Sequence, residues 1–132
     1  MATSSIGVLV VEDTERYRQF IVSTLQARPE LQVIGEVSDG IEAVRKAQEL
    51  HPDLILLDIG LPGLNGIEAA RRIRKLAPGS KILFVSQESS CDVMEEAFNL
   101  GAMGYVIKSN AQSELLPAVD QVIIGKQLSA TD

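Results

Sequence analysis

The pattern that most limits how this chain can fold is an alternation of short apolar runs with amphipathic stretches, repeated five times between Ile6 and Ile123. The runs fall at about Ile6–Val11, Gln32–Val37, Leu54–Leu57, Lys81–Val85 and Gly104–Ile107. Such alternation predicts a parallel sheet covered by helices on both faces. Three of the runs end on charge: the first on Glu12 and Asp13, the third on Asp58 and the fifth on Lys108. If those strands lie side by side, the charges meet at one sheet edge. Two unit charges about 4 Å apart repel by roughly 4 kcal/mol at a dielectric of about 20, so three gathered carboxylates need a cation beyond Lys108.

The helices are legible from their punctuation. The first is predicted over about Thr14 to Ala27, with Tyr17, Phe20, Ile21 and Leu25 on its buried stripe and Pro29 just past its end. Asp39-Gly40-Ile41-Glu42 and Asn65-Gly66-Ile67-Glu68 read as capping boxes for the second and third, which end before Pro52 and Pro78. Ser89 or Ser90 can cap the fourth, whose apolar positions include Val93, Ala97, Phe98 and Leu100. The fifth carries Leu115, Leu116, Val119, Val122 and Ile123, with Pro117 in its first turns.

At 132 residues, 45% hydrophobic and 23% charged, the chain suffices for one domain with a real core. Its net charge of -6, with no Lys/Arg cluster to neutralise phosphates, argues against a nucleic-acid surface. The first residues lack a signal peptide's basic start and apolar run, and no segment has the roughly 20 apolar residues that span a bilayer, so a cytoplasmic protein is expected. The single cysteine, Cys91, excludes an internal disulfide and reads as inert.

In open α/β sheets ligands collect outside the carboxyl ends of the strands, where these charges fall. Glu12, Asp13 and Asp58 form an all-oxygen set suited to a hard divalent cation such as magnesium. The alternative for Glu12 and Asp13 is to cap the first helix, whose macrodipole favours negative charge. Asp58 precedes Ile59-Gly60-Leu61-Pro62-Gly63, a loop that cannot continue a strand and so exposes the carboxylate. An ionised aspartate beside a metal can attack an activated phosphoryl group. Taken singly, Asp58 is equally a solvated loop residue. Ser86 brings a hydroxyl to the edge and Lys108 a point charge able to pair with a carboxylate or a phosphoryl oxygen. Each alone is an ordinary strand-end serine or surface lysine; their joint arrival carries the reading.

The combination Val10-Val11-Glu12-Asp13, Leu56-Leu57-Asp58-Ile59-Gly60-Leu61-Pro62-Gly63, Asn65-Gly66, Val85-Ser86 and Gly104-Tyr105-Val106-Ile107-Lys108 resembles the receiver domain of bacterial two-component response regulators. The resemblance covers nearly the whole chain. It implies a doubly wound (βα)5, flavodoxin-like three-layer α/β sandwich with strand order 2-1-3-4-5. Asp58 would accept a phosphoryl group from a sensor histidine kinase or phosphotransfer protein. Glu12 and Asp13 would form the magnesium pocket, with Asp13, Asp58 and the Gly60 carbonyl as metal contacts. Ser86 would be the switch hydroxyl, Tyr105 the switch aromatic, and Lys108 the phosphoryl contact. Such a domain is a signalling phosphoacceptor rather than an enzyme, with slow self-catalysed phosphorylation and dephosphorylation.

The closing Ile124-Gly125-Lys126-Gln127-Leu128-Ser129 resembles the end of a NarL/FixJ-type receiver. It implies a tail over 1–5, a receiver over 6–125, and a linker from 126–132 towards a LuxR-type output domain that would make any DNA contact. A free-standing receiver, or one acting by protein contact without phosphorylation, is the alternative. Homodimerisation through helices one and five, or four and five, is implied, with no membrane partner. The chain departs from the family at Ser109, where proline with a cis peptide is usual, and at Ser86, where threonine is commoner; Gly60 and Glu88 fall where the family tunes phosphoryl lifetime. A flavin binder would need a glycine- and hydroxyl-rich loop where Glu12-Asp13-Thr14-Glu15 stands, and a haloacid-dehalogenase phosphatase a second acid at Gly60.

Overall fold

The computed structural model describes residues 5–131, with side chains described through Ile124. Residues 1–4 of the expected tail and residue 132 of the expected linker lie outside the described residues. The strands are β1 (Ile6–Val11), β2 (Leu31–Val37), β3 (Leu54–Leu57), β4 (Lys81–Ser86) and β5 (Gly104–Ile107). The helices are α1 (Glu15–Leu25), α2 (Gly40–Leu50), α3 (Gly66–Leu76), α4 (Cys91–Asn99) and α5 (Ala111–Thr131). All strand pairs are parallel, in the expected order β2-β1-β3-β4-β5. Residues 126–131 continue the backbone of α5.

Both sheet faces are covered, which is why the strands read as apolar without alternation. Leu9, Val11, Ile55, Leu57, Ile82 and Phe84 face α2, α3 and α4, packing on Ala43, Ala47, Ile67, Ile73 and Ala97. Val8, Val10, Leu54, Leu56, Leu83 and Val85 face α1 and α5, packing on Ile21, Leu25, Leu115, Val119 and Val122. Each fully buried branched or aromatic side chain contributes about 1.5–3 kcal/mol of transfer free energy.

Asp39, Asn65 and Ser90 each accept from the amide three residues on, at 2.8, 3.0 and 3.2 Å. The capping boxes form only this half. Glu42 turns to Arg45 and Glu68 to Arg71, because an arginine one turn along competes better than a backbone amide for a surface carboxylate. Phe98, one of the apolar positions of the fourth helix, is 48% exposed. Val93, Ala97 and Leu100 make the inward stripe of α4, and Phe98 lies about 100° round the helix from Ala97. A basic cluster also exists after all: Arg71, Arg72, Arg74 and Lys75 share α3, although Glu68 and Glu96 pair with the first two.

Arg28 Nε and Nη2 donate to Asp120 Oδ1 and Oδ2 at 2.9 and 2.7 Å, fastening the turn after α1 to α5. These bonds hold the Asp120 carboxyl below its ordinary 3.8. A depressed carboxyl stabilises the fold above its unfolded value and loses that contribution as pH falls through the folded one. Asp120→Asn should therefore have a shallower fall in urea midpoint than the parent between about pH 5 and pH 3. The effect is small, since both side chains are about a third exposed.

Candidate functional site

Strand register assembles the site. Val11 pairs with Leu57, so Glu12 and Asp58 emerge side by side; Ser86 pairs with Ile107, so Lys108 emerges next to the end of β4. The loop after β3 is held by two close approaches. A Cβ on Gly66 would lie 2.0 Å from the Asp58 carbonyl oxygen, and one on Gly40 would lie 1.8 Å from that of Leu64. The Gly66 amide donates to the Ile59 carbonyl at 2.7 Å, which docks the start of α3 directly behind Asp58.

One carboxylate oxygen each from Glu12, Asp13 and Asp58 lies within 4.8 Å of the others. At that spacing each ionised pair repels by roughly 3–4 kcal/mol at an effective dielectric of about 20. Asp13 is exposed, as a sheet-edge acid should be, but Asp58 is buried rather than exposed. The start of α3 lies against its backbone, and Ile59 N donates to its Oδ1 at 2.8 Å. Its Oδ2 takes Lys108 Nζ at 3.1 Å. Each oxygen keeps a second lone pair.

Glu12 is completely buried. Thr14 N donates to its Oε2 at 2.9 Å, while Lys108 Nζ stands 2.7 Å from Oε1 without hydrogen-bond alignment. Burial pushes the Glu12 carboxyl up, against the pull of Lys108 and Thr14. Burial alone would lower Lys108, but Glu12 and Asp58 more than offset it and hold the ammonium above 10.5.

The carboxylates suit a magnesium ion. The set is all oxygen, Glu12 Oε1 is buried without an aligned donor, and Asp13, Asp58 and Gly60 border a cavity of about 300 Å3 that also meets Ser86 and Lys108. Magnesium keeps several waters, so this space accommodates its hydrated sphere.

Ser86 is buried, and its Oγ accepts from Glu88 N at 3.2 Å. Tyr105 donates its hydroxyl to the Glu88 carbonyl at 2.7 Å, and its ring lies 6.0 Å from that of Phe84. Burial raises the Tyr105 phenol and the Ser86 hydroxyl partly offsets this, so Ser86 and Tyr105 touch the same short loop. No cis peptide occurs among the described residues, and Lys108–Asn110 instead forms a 3-10 turn leading into α5.

Tyr17 and Arg18 were not legible as site residues. Tyr17 is only half-buried, and Lys108 Nζ stands 4.5 Å from its ring centroid. Arg18 donates to the Glu12 carbonyl at 2.8 Å and pairs with Glu36. The usable signal was position: helical side chains lean towards the helix N-terminus, so the first turn of α1 reaches back over the sheet edge.

A doubly wound parallel sheet with an acidic cation pocket, a hydroxyl and a lysine at its carboxyl edge defines a flavodoxin-like signalling fold. The chain belongs to the response regulator receiver domain family, whose model matches residues 8–120. It is 37% identical over 114 residues to the transcriptional regulatory protein LiaR of Bacillus subtilis, covering 86% of this chain and 54% of LiaR. It is 31% identical over 121 residues to the nitrate/nitrite response regulator NarL of Escherichia coli, covering 92% of this chain and 56% of NarL. A LuxR-family two-component response regulator from an Aurantimonas species superposes with a TM-score of 0.87 at 34% identity, covering 92% of this chain and 87% of that one. The receiver of Thermotoga maritima CheB gives 0.84 at 32%, covering 93% and 97%. These are two-component signalling proteins, most of LuxR/NarL type, and the chain spans about half the length of the curated relatives LiaR and NarL.

Proposed function

We infer that this chain is a phosphoacceptor receiver: Asp58 takes a phosphoryl group from the phosphohistidine of a sensor kinase or phosphotransfer protein, and the added charge switches an output. The observation that carries it is the placement of Asp58, buried at the end of β3 between Lys108 and the acidic cluster, facing the cavity of about 300 Å3. An Asp58 oxygen attacks phosphorus, the P–N bond breaks, and the imidazole leaves. Asp13, Asp58 and the Gly60 carbonyl, with Glu12 behind them, would hold magnesium, whose charge would neutralise the phosphoryl oxygens. Lys108 and Ser86 contact those oxygens, and positioning supplies most of the catalysis. Turnover is not the purpose; the domain phosphorylates and dephosphorylates itself slowly.

The phosphoryl group adds about -1.5 to -2 of charge and new acceptors. Ser86 feels it first, and Tyr105 shares the Glu88 loop with Ser86, so a shift in that loop biases the packing of α4 and α5. Receiver boundaries of 6–125 belong to this reading and agree with the family match over residues 8–120, although the α5 backbone runs on to Thr131 before any linker. The similarity to LiaR, a transcriptional regulatory protein about half of whose length the chain spans, supports a transcriptional, DNA-binding output; a cytoplasmic setting and homodimerisation through α1/α5 or α4/α5 belong to the same proposal. The exposed Phe98 supports the latter face.

Incubation with acetyl phosphate and magnesium, followed by intact-protein mass spectrometry, should give one acid-stable, base-labile phosphoryl adduct. Chelating the metal should remove it. No adduct under any condition would favour a receiver that works by contact alone.

A further inference from the structure

The side of Lys108 away from the carboxylates is closed by Tyr17. The ammonium has Glu12 Oε1 at 2.7 Å, Asp58 Oδ2 at 3.1 Å and the Tyr17 ring centroid at 4.5 Å. The Tyr17 hydroxyl also lies 3.4 Å from the Lys108 carbonyl, a long contact joining α1 to the turn before α5. Phe20 packs at 5.3 Å on the Tyr17 ring, so the aromatic is itself braced. Only 11% of the Lys108 side chain remains exposed.

We propose that Tyr17 is a positioning residue for Lys108: its ring face confines the ammonium at the cavity mouth while leaving it free to move from Asp58 to an incoming phosphoryl group. This rests on the phosphoacceptor reading. A lysine has roughly 2 kcal/mol of rotamer freedom to lose before it can contact a ligand. The ring reduces that cost in advance. A third carboxylate in its place would confine Lys108 as well, but would also compete with the phosphoryl oxygens for its protons. A ring attracts the cation through its quadrupole without accepting a directed hydrogen bond, so the ammonium can pivot across it.

The same contact accounts for how the turn is held with Ser109 after Lys108. The Lys108 carbonyl accepts from Ala111 N, closing the 3-10 turn, and the Tyr17 hydroxyl approaches the same oxygen. Because that approach is long, the ring carries the function and the hydroxyl is dispensable.

The test compares Tyr17→Leu, which keeps apolar volume without a ring, with Tyr17→Phe, which keeps the ring without the hydroxyl. The first readout needs no phosphoryl chemistry. In metal-free protein the Lys108 ε-methylene protons should resonate upfield, shifted by the ring, in the parent and Tyr17→Phe but not in Tyr17→Leu. The second is the concentration of beryllofluoride, a phosphoryl mimic, that half-saturates the magnesium-loaded protein. It should rise about fivefold in Tyr17→Leu, the size expected of a partly exposed cation–π contact, and less than twofold in Tyr17→Phe. Equal affinity in the parent and Tyr17→Leu would overturn the proposal, as would equal impairment of both variants or an unshifted Lys108 in the parent. A parent that binds no beryllofluoride would instead overturn the phosphoacceptor reading and, with it, the role given to the ring.

Discussion

Asp58→Asn will take up no phosphoryl group from acetyl phosphate and magnesium, and will stay folded. An amide oxygen is not a nucleophile at neutral pH, so the chemistry ends whatever else the site retains. The local structure has little reason to collapse. The amide oxygen keeps the bond from Ile59 N that Asp58 Oδ1 accepts at 2.8 Å. Lys108 loses its 3.1 Å partner but keeps Glu12 at 2.7 Å. One carboxylate fewer also relieves the repulsion by which Asp58 raises the Glu12 carboxyl. These opposed effects should leave stability within about 1 kcal/mol of the parent, measured from urea midpoints without metal. Magnesium affinity should drop roughly tenfold, about 1.4 kcal/mol, with the loss of a charged ligand. An adduct on the variant would move the phosphoacceptor elsewhere. A stability loss above about 3 kcal/mol would make Asp58 structural first.

How far the sequence carries can be judged residue by residue. Strand positions were legible because buried parallel strands are apolar throughout and Gly/Pro loops bound them, so Leu54–Leu57 before Asp58 lies as read, whereas the strand order came from the family resemblance and not from the runs themselves. Which partner a surface charge chooses was not legible, since that depends on rotamers one turn apart: Glu42 and Glu68 took arginines over the amides they were expected to cap. Phe98 misled because hydrophobicity marks an apolar residue without saying that the stripe through Ala97 passes beside it. Tyr17 misled the other way. Its spacing matches the buried stripe of α1, and it does pack against that core, yet its ring face also meets Lys108. A contact between residues 91 apart has no local signature. The burial of Asp58 likewise depends on how the folded chain closes round the strand end, which no local pattern displays.

Lys108→Met exposes what the crowded edge costs without its lysine. Methionine keeps the apolar stem but leaves fully buried Glu12 without the ammonium at 2.7 Å and Asp58 without the one at 3.1 Å. Breaking a buried pair costs about 3–5 kcal/mol when the remaining charge has no escape. Here the cavity admits water and Glu12 can take up a proton, so a loss of about 2 kcal/mol is expected in metal-free buffer at neutral pH. The pH dependence has a definite sign. The Glu12 carboxyl is already raised above 4.5 by burial, and removing Lys108 removes influences that pull it down. A raised carboxyl contributes stability that is full below its unfolded value and lost as pH rises through the folded one. The deficit of Lys108→Met should therefore be small near pH 4.5 and grow towards neutrality. Magnesium should close most of it: a dication binds the uncompensated acids roughly tenfold more tightly, so at a hundredfold excess over the variant's Kd it stabilises the variant by about 2.7 kcal/mol and the parent by about 1.4 kcal/mol. Urea midpoints of parent and variant, with and without magnesium, measure this directly. A gap unchanged by metal would separate Lys108 from the acidic cluster. A gap that closes, in a variant that still takes a phosphoryl group but no longer couples it to dimerisation, identifies Lys108 as the cation that balances the acids when metal is absent and transmits the added charge when phosphate arrives.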